Sequence, residues 1–291
     1  MARGAALRHG AIGERFSMGW FAYFIHEWPL TAIALVLFLA LNLAREAGGW
    51  ARRRVAGRQD DKPEESSDKS YVLSGVLGLL ALLIAFTFSL SVDRYEARRL
   101  LVTAEANAIG TAVMRAQLLP APHGEELTDL LRAYARTRMA YGLSGAAGKP
   151  KLAKAAADQR TVIQATALTA LAPVATNPLG PFVGQSINAV LDVGVEREAA
   201  HAARVPASVL GALVLYALLT ALILGYALTG ARARHRPATI ILFALLTLGI
   251  MLILDLDRPQ GGSIRIDQTP MISLVSGFPR TATKPPESRK P

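Results

Sequence analysis

Residues 71–92, YVLSGVLGLLALLIAFTFSLSV, carry no charged side chain. A bilayer core about 30 Å thick is crossed by about 20 apolar helical residues. Lipid offers no water to satisfy backbone N–H and C=O groups, so such a run folds as a helix. Three more stretches read the same way. Residues 208–229 are also uncharged, and residues 238–254 end at Asp255 and Asp257. Residues 28–44 follow the aromatic cluster Trp20, Phe21, Tyr23, Phe24 and Trp28, which suits a membrane interface. The long segment before this stretch and its Arg45-Glu46 flank argue against a cleaved signal peptide.

The four runs divide the chain. Residues 1–27 are an N-terminal segment, 45–70 a polar loop, 93–206 a helical extramembrane domain between spans two and three, and 255–291 a C-terminal tail. The fold class expected is therefore all-α, with four transmembrane helices. Within 93–206 no run alternates with period two, and prolines punctuate the helices. Helices are expected from the second span to about Leu118, then over 125–141, 152–172 and 182–204. The tail holds little hydrophobic mass, and its last residues, TATKPPESRKP, read as disordered. Hydrophobic residues make up 52% and charged residues 19%, which excludes a disordered chain and argues against a soluble enzyme. Without cysteine there is no disulfide scaffold, thiolate metal site or cysteine nucleophile.

The net charge of +10 is spread along the chain, with 10 basic and 8 acidic groups in residues 1–70 and 13 and 10 in residues 93–206. No basic patch with interleaved aromatics points to nucleic acid. The surplus fits positives flanking a membrane, and it also raises the local concentration of anions. The positive-inside count gives ten Lys and Arg on each side, so it does not orient the chain; the concentration in two short loops leans slightly towards those loops being cytoplasmic.

Three clusters stand out. Asp93, Arg94, Glu96, Arg98 and Arg99 crowd the exit of the second span, where a snorkelling ion-paired exit and a ring of ion pairs at a junction are both consistent. Glu105 and Asn107 follow among alternating small residues that permit close helix packing. Asp255, Asp257, Arg258 and Pro259 precede a Gly-rich turn at the membrane surface. The spacing Glu198-x-x-His201 occurs once, whereas a di-metal bundle site needs two copies. No phosphate-binding, dinucleotide, zincin or nucleophile-elbow motif occurs, so no catalytic residue, metal or cofactor is expected.

The segments IAFTFSLSVDRYEARRLLVTAEANAIGTAVMRAQLLP and LILDLDRPQGGSIRIDQTPM resemble the bestrophin-like domain family of bacterial membrane proteins, over roughly residues 71–275. A weaker resemblance reaches the bestrophins, pentameric anion channels with the same layout of spans. Their prokaryotic members carry a phenylalanine and then D-R-W-W-E-A-R, to which Phe86 and Asp93-Arg94-Tyr95-Glu96-Ala97-Arg98 are similar. The resemblance implies a second span that lines a pore and a hydrophobic neck at Leu82 and Phe86 that gates by dewetting. The chain departs from that pattern at Thr87, where an arginine is usual, and at Gly78, too small to narrow a neck.

Two functions compete. One is a homo-oligomeric channel for small inorganic anions in the bacterial inner membrane. The other is a membrane-anchored helical sensor or scaffold without transport. A membrane enzyme is a distant third, with Asp255, Asp257 and Glu105 its best candidates.

Overall fold

The computed structural model describes residues 28–55, 63–145, 147–228, 236–258 and 262–279, with backbone alone for 63–70. Every described element is helical, and no described residue lies in a strand. The helices are α1 (Leu30–Val55), α2 (Pro63–Ala116), α3 (His123–Leu143), α4 (Lys149–Leu171), a 3-10 turn (Ala172–Val174), α5 (Leu179–Ala202), α6 (Ala207–Leu228), α7 (Arg236–Asp257) and α8 (Thr269–Ser276). Four segments are long and apolar enough to cross a membrane: Leu30–Val55, Tyr71–Ala116, Leu179–Leu228 and Arg236–Asp257. The expectations for residues 1–27, the 56–62 part of the polar loop, the basic turn at 231–235, Pro259 and the last residues of the tail lie outside the described residues.

The chain forms two compact units. The first comprises residues 1–95 and 203–265, and the second residues 96–202 and 266–291. In the first unit, Ile33, Leu37 and Leu41 recur one turn apart along α1. They meet Leu210, Leu213, Ala217, Ala221 and Leu224 of α6, with Phe243, Ile250, Ile253 and Leu254 of α7 and Leu80 of α2. Helices α1 and α6 make the most intimate pair. A Cβ on Gly48 would overlap the Leu222 carbonyl oxygen, and one on Gly225 would overlap the Arg45 carbonyl oxygen. Apolar side chains gain little from leaving lipid, so contact of this kind, backbone against backbone, is what holds membrane helices together.

The structure differs from the loop expected over 45–70. Helix α1 continues to Val55, and α2 already begins at Pro63. The extra turns of α1 are held against α6 by a glycine and an arginine, with Glu46, Arg53 and Arg54 exposed. Gly48 seats against α6, and Arg52 Nη1 donates to the carbonyls of Tyr226 (3.2 Å) and Ala227 (3.0 Å). Those carbonyls belong to the last turn of α6, which has no helical partners for them and attracts cations.

The second unit closes over Val102, Ala106, Ile109, Val113 and Ala116 of α2. Against them lie Leu127, Leu131 and Tyr134 of α3, Ile163 and Ala167 of α4, and Val183, Ile187 and Val190 of α5. Pro120 and Pro122 follow the end of α2, where a proline cannot continue the hydrogen-bond ladder. The tail is less bare than its composition implies. Met271 of α8 is fully buried in this core, and Leu274, Val275 and Phe278 pack against it.

Gly225→Val is expected to cost about 3 kcal/mol, the upper end of overpacking penalties. It lowers the thermal unfolding midpoint of the detergent-solubilised protein by several degrees. Gly249→Ala, whose Cβ meets open space, stays within about 1 kcal/mol of the parent in the same measurement.

Candidate functional site

Within the membrane-spanning part of α2, few side chains find partners. Leu80, Thr87 and Ser91 are buried. Thr87 Oγ1 donates to the Leu83 carbonyl (2.7 Å) and Ser91 Oγ to the Thr87 carbonyl (3.1 Å), so both hydroxyls are satisfied inside the helix itself. The opposite face is open. Nothing lies within 4 Å of a Cβ built on Gly75 or Gly78. Leu82 is 49% and Phe86 65% exposed, and Ser89 and Asp93 continue the exposed row. Past the span, Thr103 and Asn107 are exposed as well.

The cluster at the span exit separates into different roles. Asp93 is exposed and Arg94 half-buried. Glu96 and Arg99 form an exposed ion pair (2.6 Å), one turn apart. Arg98 is buried, and its Nε donates to the Ala200 carbonyl (3.1 Å) in the last turn of α5.

Glu105 lies in a different setting. Its side chain is 0% exposed. Oε1 accepts from Arg138 Nε (2.6 Å) and from the Tyr134 hydroxyl (3.1 Å), and Oε2 accepts from Arg197 Nη1. Arg138, also 0% exposed, donates through Nη1 to Glu198 (3.0 Å). Glu198 in turn takes a bidentate pair from Arg160 at 2.7 and 2.9 Å. Arg197 Nη2 donates to Gln268 Oε1 (2.9 Å), and Gln268 Nε2 to the Ile266 carbonyl. Glycines on α5 and α3 make room for it. A Cβ on Gly194 would sit 2.5 Å from the Tyr134 hydroxyl, and one on Gly142 would overlap the Gln268 amide.

The electrostatics follow from burial. Burial, and then the Glu105 carboxylate, push the Tyr134 hydroxyl up to about 12, so it remains a donor at neutral pH. Burial works against the charge of Arg138, but Glu105 more than offsets it and its pKa is raised. The hydrogen bonds that Arg160 donates to Glu198 raise its own pKa. Lys149 has no such support, and burial, reinforced by Arg197, lowers it to about 8.

The third cluster is a clamp at the end of α7. Asp255 Oδ1 accepts from the Ser263 backbone N–H (2.7 Å), and its Oδ2 from the Ser263 hydroxyl. A Cβ on Gly262 would overlap that carboxylate. Asp257 Oδ1 accepts from the Val205 N–H (2.8 Å), just ahead of α6. Arg258 Nη1 donates to the Trp28 carbonyl (2.6 Å), just ahead of α1. These polar groups tie three chain segments at one end of the first unit's helices. Each acid already serves backbone or hydroxyl donors, which is structural work.

Sequence reasoning singled out Glu105 but missed its partners Tyr134, Arg138, Arg160, Arg197 and Gln268. Arg138 lies 33 and Arg197 92 residues further on, and no local spacing links them to Glu105. Glu198 was noticed only for its spacing to His201.

A bundle of apolar helices with an open face on its longest member, joined to a helical unit with a buried charge network, defines a helical membrane protein. The Bestrophin-like domain model matches residues 38–271, and the chain belongs to that family. No curated protein sequence matches it. Among solved structures it is similar to a bacterial Bestrophin homolog from Klebsiella pneumoniae, at 15% identity and a TM-score of 0.59, over 84% of this chain and 98% of that one. A single-residue variant of that homolog matches at 16% identity and 0.59, over 85% and 96%. At these identities the likeness establishes a shared fold.

Two ion pairs of equal length, 2.6 Å, lie at opposite extremes of burial. Glu105→Gln leaves Arg138 and Arg197 without their shared counter-charge and is expected to cost about 3–5 kcal/mol. Glu96→Gln in the exposed, solvent-screened pair leaves the unfolding transition close to that of the parent. Chemical denaturation of the two variants side by side measures the difference.

Proposed function

We propose that this protein is a homo-oligomeric, anion-permeable channel of the bacterial inner membrane, lined by α2. In this reading residues 28–44, 71–92, 208–229 and 238–254 cross the bilayer, and residues 93–206 form a domain outside it. The carrying observation is the open face of α2. Most of its apolar side chains have no partner in one copy of the chain, and the row runs on into Ser89, Asp93, Thr103 and Asn107. A wet axis between copies accommodates both the apolar row inside the bilayer and the polar row that continues beyond it. Leu82 and Phe86, one turn apart, then form the narrow apolar stretch, where water and ions pass only when the constriction wets. The net charge of +10 favours anions over cations in the approach.

The test is halide efflux from liposomes reconstituted with the purified protein. The parent gives flux above empty liposomes. Phe86→Ala widens the neck and raises that flux at least severalfold, with Leu82→Ala acting in the same direction. Reversal potentials under a salt gradient report the selectivity. A well-folded preparation without flux, unchanged by Phe86→Ala, would favour the membrane-anchored scaffold.

A further inference from the structure

The buried network of the second unit does not balance its charge. Arg138, Arg160, Arg197 and Lys149 supply four cations, and Glu105 and Glu198 supply two carboxylates. Lys149 is 7% exposed. Its Nζ lies 3.4 Å from His201 Nε2, and no described carboxylate forms an ion pair with it. It opens α4, where Gly148 provides no side-chain cap and the first turn holds no acid. A helix start carries partial positive charge, so a buried lysine there adds to a field that already favours anions. Three of the cations surround one ring. Arg138 Cζ lies 5.0 Å, Lys149 Nζ 5.3 Å and Arg197 Cζ 6.0 Å from the centroid of Tyr141. Arg138 Nη2 is buried and donates to nothing.

A charge taken out of water costs several kcal/mol unless an opposite charge accompanies it. Contact with an aromatic face returns only about 0.5–2 kcal/mol per cation. The surplus therefore calls for a counter-ion that the described residues do not supply.

We propose that Lys149, Arg138 and Arg197 hold a small inorganic anion of halide size beside Tyr141. The donors for it are the Lys149 ammonium and the unused Arg138 Nη2. The tight packing of Tyr134, Tyr141 and Gln268 around the arginines favours a monatomic ion over a bulky oxyanion. None of these groups lies on the open face of α2, so this site is independent of the pore reading.

The experiment is thermal unfolding of the full-length protein in detergent at pH 7, with sodium gluconate replaced by sodium bromide at constant ionic strength. The midpoint rises saturably, by about 3 °C when bromide reaches roughly ten times its dissociation constant. Lys149→Met removes a buried charge without opening a cavity and loses this response. Phe86→Ala retains it. Crystals grown in bromide show an anomalous peak within about 3.5 Å of Lys149 Nζ. A parent midpoint identical in gluconate and bromide overturns the proposal, as does an equal bromide shift in Lys149→Met. If Lys149→Met does not fold, Lys149→Gln is measured in its place, and the anomalous peak decides alone if neither folds.

Discussion

A carboxylate that is wholly buried cannot stand alone, and most of the second unit is arranged around that fact. Glu105 projects from α2 into the core, and its two oxygens are met from α3 by Tyr134 and Arg138 and from α5 by Arg197. Arg160 of α4 enters one step further out, through Glu198. The segment before α8 enters through Gln268. Helices α2, α3, α4 and α5 and the segment before α8 thus contribute to one connected network. Apolar side chains of similar volume would hold such a core equally well, because the desolvation of buried ions offsets most of their attraction. What the charges add is direction. A guanidinium fork accepts few orientations of its carboxylate, so the helices are fixed in register as well as packed.

The first unit solves a different problem. Its surfaces are apolar on all sides, and oil against oil gives little preference for one partner. Preference comes from shape at Gly48 and Gly225, and from polar groups placed at the helix ends. Arg52 closes the end of α6, Asp257 serves the chain just before its start, and Arg258 holds the approach to α1. The interior of the bundle needs no such groups because Thr87 and Ser91 turn their hydroxyls back on their own helix.

How much of this was legible in the sequence depends on the range of the interaction. The four apolar runs were plain, because lipid imposes a length and a composition that no distant residue can override. The family resemblance rested on the segments that hold E-A-N-A-I-G and L-D-R-P, and the match over residues 38–271 confirms it. Asp255 and Asp257 were candidates for a membrane enzyme, whereas they accept from Ser263 and Val205. Residues 45–55 read as loop because arginines and glycines are common there. Their helical role appears only when the carbonyls of α6 are beside them. Glu105 was visible as an acid among small residues, but partners tens of residues away leave no periodic trace. Helix α8 was hidden by its brevity and by the polar tail around it.

The backbone contact of α1 with α6 at Gly48 and Gly225 also implies that the two units respond to heat by different rules. Burial of apolar surface from water carries a large heat-capacity change, and the core around Ile109, Leu131 and Ile163 is of that kind. Helices already in lipid expose almost no new surface to water when they part. Their cohesion is a matter of fit, with little heat capacity attached to it. With the second unit in water, as the channel reading has it, cooling weakens its core while leaving the interlocked helices nearly untouched.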